Sequence, residues 1–241
     1  MMIVGSLCGC SAQDGEPAEE GCDVFKTPTG TTVKMYCIKH GSLRMQVGDK
    51  WIYVDPVTKA VKPETDYSTL PKADYILVTH EHFDHLDSVA INQLSKQGTV
   101  LITNARCHEI LGGKGDVMAN GDSLTLAEGW TVEAVPAYNN SPEKLQFHPK
   151  GRDNGFVVTV EGMRIYIAGD TEDVPEMADI MDIEVAFLPC NQPYTMTPDQ
   201  LVNAANIIKP KTVFPYHYSS TDVSVLPGHL PGTDVRIRQY Q

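Results

Sequence analysis

The sequence predicts an α+β fold built in layers, and three observations carry that prediction. Strand-like runs crowd the first part of the chain, and helical and strand-like runs alternate later. Three of the later strand-like runs end directly in His- or Asp-bearing segments, which would collect those residues on one edge of a layered structure.

Taken in order, β-forming runs over 32–38, 43–47 and 51–54, with Gly41, Gly48 and Asp49 between them, open the chain as a meander. Residues 75–79 (Tyr-Ile-Leu-Val-Thr) are short, apolar and β-forming, as a buried strand should be. A helix is expected over 88–96, with Val89, Ile91 and Leu94 as its apolar positions. A strand follows over 99–102, then a short helix over 105–111 that Gly112-Gly113 stops. Strands come next over 131–135, 156–160 and 163–168, the last two joined as a hairpin by Glu161-Gly162. The strand over 185–189 leads into Cys190. Residues 198–208 form a helix with Thr197 as N-cap, Pro198 at the first position and Asp199 in the first turn. A final strand over 212–216 ends at His217.

With 241 residues, 41% of them hydrophobic, the chain can form one large domain with a sizeable core. No run of 18 apolar residues is present to make a spanning helix. The net charge of −12 makes a poor match for a phosphate backbone, so no nucleic-acid partner is expected. The six cysteines include no Cys-x-x-Cys pair, which argues against a structural zinc site or a redox motif. Cys37, Cys107 and Cys190 are expected to be structural.

Chemistry concentrates in His80-Glu81-His82-Phe83-Asp84-His85, which leaves the carboxyl end of the 75–79 strand. Neutral imidazole is the commonest transition-metal ligand, and mixed His/carboxylate sets suit zinc, iron or manganese. Four potential ligands in six residues exceed what one ion takes from a short loop, so two neighbouring metals are expected. Two further strand ends can complete such a site. Asp170 follows the 163–168 strand, and an ionised Asp can bridge two cations with its two oxygens. His217 ends the 212–216 strand.

His80-x-His82-x-Asp84-His85, Gly169-Asp170-Thr171 and the late His217 resemble the metal-ligand motifs of the metallo-β-lactamase superfamily. Three further runs resemble its ascorbate-6-phosphate-lactonase-like branch of metal-dependent hydrolases. They are Val135-Pro136-Ala137-Tyr138-Asn139, Phe147-His148-Pro149-Lys150-Gly151, and Ile208-Lys209-Pro210-Lys211 with Pro215-Tyr216-His217-Tyr218. The resemblance implies a four-layer αββα sandwich with a dinuclear site at one edge of its two sheets. It implies that His80 and His82 hold one ion, that Asp84, His85 and His217 hold the other, and that Asp170 bridges. Most members place a His directly after the strand that here is 131–135, whereas this chain has Ala137-Tyr138-Asn139. His148 keeps the usual motif order and is taken as the third ligand of the first ion. Asn139, Tyr138 or a weakly held first ion remain the alternatives. Asp55 resembles the family's first Asp, which orients ligands from behind them.

The cofactors implied are two divalent ions, zinc first, with manganese and iron as alternatives. The expected chemistry is hydrolysis by a hydroxide the ions share, since water on such an ion drops in pKa from ~16 to about 7. Asp84, with His85 beside it, would orient the nucleophile and move its proton. By resemblance, the substrate is a small ester, a lactone or a phosphorylated metabolite. In the long loop 138–154, Asn139, Lys150 and Arg152 are the candidate substrate contacts, the two cations for an anionic group. A phosphodiesterase and a non-catalytic metal-binding protein are the competing readings. A flavo-diiron centre ranks lower, because that group usually has Glu where this chain has His82. His40, His108 and His229 stand alone in the sequence and are expected to be surface or satisfied polar residues.

The N-terminus suggests a separate segment. Leu7-Cys8-Gly9-Cys10-Ser11 looks like a bacterial lipobox, although Met1-Met2-Ile3-Val4 lacks a basic leader. Residues 11–22 are small and acidic, as a disordered tether would be. The expected organisation is therefore an export remnant and tether over 1–22 and one hydrolase domain over 23–241. The protein would be held at the bacterial envelope by a lipid anchor, its one contact with a membrane, with a cytoplasmic location as the alternative.

Overall fold

The computed structural model describes residues 21–239. The lipobox reading at Cys10 and the tether up to residue 20 lie outside the described residues. Cys22, assigned to the tether by sequence, already belongs to the first strand.

Each contiguous half of the chain builds one seven-stranded sheet. The first runs in chain order: β1 (Cys22–Lys26), β2 (Thr32–Lys39), β3 (Ser42–Val47), β4 (Lys50–Val54), β5 (Tyr75–Leu77), β6 (Val100–Thr103) and β7 (Asp116–Val117). The second holds β8 (Ser123–Ala127), β9 (Trp130–Ala137), β10 (Asp153–Val160), β11 (Met163–Ile167), β12 (Val185–Pro189), β13 (Thr212–Tyr216) and β14 (Asp234–Val235). Both begin as antiparallel meanders and turn parallel, after β4 and after β11. Helices α1 (Ser88–Leu94) and α2 (Ala105–Ile110) cover the first sheet, and α3 (Pro198–Ile208) and α4 (Leu226–His229) the second.

The alternation of side chains along each strand makes this a four-layer αββα sandwich. Tyr75 and Leu77 of β5 enter the core between the sheets, while Ile76 and Val78 face α1 and α2. In the second sheet, Ile165 and Ile167 of β11 point between the sheets, and Tyr166 and Ala168 pack on the α3 side. Central strands buried on both faces explain why their sequences read as unbroken apolar runs.

Edge strands were harder to read. β1 and β8 each carry polar residues at two of their five positions and show no long apolar run. The first helix ends at Leu94, earlier than the 96 expected, because Ser95 turns extended and caps it. Thr197 caps α3 in full: its side chain accepts from Gln200 N, and the Gln200 side chain accepts from Thr197 N. Thr197→Ala should therefore cost about 1 kcal/mol, read as a lower urea midpoint at unchanged slope.

Candidate metal centre

The chemistry-bearing residues meet where the chain leaves the carboxyl ends of β5, β11 and β13. Three overlapping groups of donors form there, each with ligand atoms within 4.8 Å of one another: His80, His82 and His148; His80, His85 and Asp170; and His40, Asp84, His85 and His217. His80, His85, His148, Asp170 and His217 are buried, whereas His82 and Asp84 remain partly open to solvent.

Partners behind the imidazoles fix which nitrogen faces inward. His85 Nδ1 donates to Asp55 Oδ2 at 2.8 Å, and His148 Nδ1 donates to Asp153 Oδ2 at 3.0 Å. His80 Nδ1 donates to Thr79 Oγ1 at 2.9 Å, and that hydroxyl donates to Asp55 Oδ2 at 2.6 Å. Each ring is thereby held as the tautomer that leaves its Nε2 lone pair for a cation. Asp55 occupies this place because Thr79 N also donates to its Oδ1 at 2.8 Å, locking the carboxylate between β4 and β5.

The spacing of the inward atoms fits divalent ions. Donors bound at about 2.1 Å to a tetrahedral ion stand about 3.4 Å apart. Asp170 Oδ1 lies 3.4 Å from His85 Nε2, and Asp170 Oδ2 lies 3.4 Å from His148 Nε2 and 3.5 Å from His217 Nε2. Asp84 Oδ2 lies 3.5 Å from the same His217 nitrogen, and His80 Nε2 lies 3.1 Å from His82 Nδ1. Asp170 Oδ1, His85 Nε2 and both ring nitrogens of His217 are buried without a hydrogen-bond partner. Orphaned polar atoms this deep are costly unless a partner completes them. One carboxylate reaches both donor groups, which is the arrangement two neighbouring ions need.

The electrostatics make the same demand. Burial opposes charge on His85, yet Asp170, Asp55 and Asp84 outweigh it and push its pKa up to about 10. Burial also opposes ionisation of Asp84 and Asp170, but the surrounding imidazoles hold both carboxyls below the usual carboxylate range. The negative field that keeps these carboxylates ionised at this depth and raises His85 would equally favour a bound cation in place of that proton.

Sequence reasoning brought most of these residues to one place and misjudged others. His148 stands with His80 and His82, as the motif-order argument required. Of the alternative third ligands, Tyr138 Oη meets Glu176 and Lys150, whereas Asn139 Nδ2 donates to Lys144 O and Tyr194 O and its Oδ1 is buried without a partner. These bonds also turn the Asn139 amide nitrogen away from the substrate role expected of it. Lys150 is paired with Glu176 at 2.5 Å. Arg152 meets Asp153 at 2.6 Å, Glu81 at 3.1 Å and Phe147 O at 2.8 Å. Both cations expected to receive an anionic group are therefore engaged with carboxylates, Arg152 bracing the Asp153 that holds His148. His108 bonds Gly115 O and His229 is exposed, but His40 is not a bystander, since its Nε2 bonds Asp84 Oδ2 at 2.9 Å. Asp153 and Glu172 went unnoticed. Glu172 accepts from Asn140 N, Ser141 N, Ser141 Oγ, Lys144 Nζ and Gln200 Nε2, fixing the loop that carries His148. Neither has a sequence signal beyond its nearness to a candidate ligand. Cys107 and Cys190 are buried, and burial pushes the Cys190 thiol up to about 12.

Residues 50–218 match the β-lactamase superfamily domain, a span that runs from Asp55 to His217 and takes in every predicted ligand. The chain belongs to the metallo-β-lactamase superfamily. Within that superfamily it stands among the metal-dependent hydrolases. It is 33% identical over 187 residues to a UPF0173 metal-dependent hydrolase of Ligilactobacillus salivarius, covering 75% of this chain and 83% of that one. A crystal structure of a metal-dependent hydrolase from Parabacteroides distasonis superposes with a TM-score of 0.87 at 49% identity, covering 91% of this chain and 99% of that one. Igni18, a metallo hydrolase from Ignicoccus hospitalis, shares the fold at a TM-score of 0.70 and 23% identity over 86% of this chain and 95% of its own. As a metallo-β-lactamase-fold hydrolase, the chain gathers its predicted ligands at the carboxyl ends of β5, β11 and β13.

Proposed function

We propose that the protein hydrolyses a small ester, lactone or phosphorylated metabolite with two divalent ions, zinc first among them, as in the ascorbate-6-phosphate-lactonase-like branch. The observation that carries this reading is the pair of donor sets sharing Asp170. His80, His82 and His148 would hold one ion, Asp84, His85 and His217 the other, and Asp170 both. Such ions supply Lewis acidity and bring the pKa of bound water to about 7.

The chain's own residues do the rest. Asp55, Thr79 and Asp153 keep three imidazoles in their receptive tautomers. His82 and Asp84, the partly open members of the cluster, mark the side from which substrate enters. Asp84, kept ionised by its neighbours, is the group there able to orient an attacking water as a hydrogen-bond acceptor. Because Lys150 and Arg152 are engaged with carboxylates, the positive charge that meets an anionic substrate would come from the ions themselves.

The test is metal content by plasma mass spectrometry on the full chain, followed by assay against a lactone, a carboxylic ester, a phosphate monoester and a phosphodiester. Two equivalents with turnover of one of the first three supports the reading. Turnover of the phosphodiester alone replaces it with the phosphodiesterase alternative. Two equivalents without any turnover favours a non-catalytic metal-binding protein.

A further inference from the structure

The turn between β2 and β3 is four residues long, Lys39 to Ser42, and each of them bears on the metal centre. Lys39, fully buried, donates from Nζ to the carbonyls of Thr58, Val61 and Pro63 at 2.8, 2.7 and 2.8 Å, pinning the turn to the segment after Asp55. Ser42 Oγ donates to Asp55 O at 2.5 Å. Gly41 lies so close to His85 that a Cβ there would sit 2.6 Å from its Cε1. His40 reaches furthest. Its Nε2 stands 2.9 Å from Asp84 Oδ2, its ring lies 3.6 Å from that of His217, and its carbonyl accepts from His217 N at 3.1 Å.

His40 is held in this place against its own backbone preference. It has a φ of 49°, in the left-handed region that costs a non-glycine residue roughly 1–2 kcal/mol. Conformations of that kind persist where the surroundings over-determine them. Here the surroundings are Lys39 with its three carbonyls on one side and two predicted ligands, Asp84 and His217, on the other.

We propose that His40 is a positioning residue for the second ion. Donated from Nε2, its N–H fixes the plane of the Asp84 carboxylate, and its ring braces His217 from behind. An ionised carboxylate has about four lone-pair sites, so one N–H orients Asp84 and leaves the others for a cation. The first donor group, His80, His82 and His148, does not include His40. Its effect should therefore fall on one ion alone. The proposal rests on the two-ion reading above.

The test is stepwise cobalt(II) titration of the metal-stripped full chain, followed by visible absorption, with thermal unfolding of each metal-free variant alongside. His40→Ala should weaken one of two binding steps by roughly 10–100-fold and leave the other unchanged, the range found when a partner behind a ligand is removed. His40→Gln, whose amide N–H can reach the carboxylate, should recover most of that loss. In an Asp84→Ala background, His40→Ala should cost less than in the parent, because the part of its action that runs through Asp84 is already gone. A parent that binds a single equivalent overturns the two-ion reading and this proposal with it. A parent that binds two equivalents while His40→Ala weakens both steps or neither overturns the proposal alone. So does equal loss in His40→Gln and His40→Ala, which would mark His40 as a direct ligand.

Discussion

Asp170→Ala is expected to empty both ion positions at once. The carboxylate approaches His85 through Oδ1 and both His148 and His217 through Oδ2, so it is the member shared by the two donor groups. Without it, the first group keeps three neutral imidazoles and the second loses its link to the first. His148→Ala, by contrast, removes one ligand from the first group and none from the second. Mass spectrometry should find close to two equivalents in the parent, about one in His148→Ala and close to none in Asp170→Ala. Losing Lewis acidity worth several kcal/mol should lower any hydrolytic rate by roughly 10³-fold or more. Two retained equivalents in Asp170→Ala would refute a bridging role.

Gly169→Ala should be strongly destabilising. Gly169 has a φ of +66°, and a Cβ there would meet Asn154 O at 2.9 Å and Thr79 Cβ at 3.3 Å. The first obstacle is backbone of β10 and the second belongs to the residue that orients His80 and Asp55, so neither can give way freely. Left-handed strain of roughly 1–2 kcal/mol and overpacking of about 1–3 kcal/mol sum to about 2–5 kcal/mol. The measurement is the urea midpoint of the metal-free protein. A change below about 1 kcal/mol would mean that the β10–β11 edge is softer than its contacts imply.

What could be read from the sequence followed from how local each signal was. The ligands of 80–85 crowd into one loop, and Asp170 and His217 end strands whose apolar runs reveal them, so the edge on which chemistry collects was legible from residue order. His40 was not legible because its partner Asp84 lies 44 positions away and nothing beside it in sequence looks like a ligand. A signal did exist: the Lys39–Ser42 turn joins strands whose sheet later supplies the His80 loop. Lys150 and Arg152 misled for the related reason that the carboxylates pairing with them include Glu176 and Glu81, far off along the chain. A cation in a loop shows its charge in the sequence, while its pairing is settled by the fold.

The division of the chain into two contiguous halves, one sheet each, also sets when the protein can acquire metal. His80, His82, Asp84 and His85 come from the first half, and His148, Asp170 and His217 from the second. Neither half owns a complete ligand set, so a ribosome that has delivered only the first has made an imidazole-rich loop and no receptor. Under the two-ion reading, tight uptake would wait until both sheets are docked, and the ions would be late arrivals in assembly. Once seated, they would rivet the two halves together.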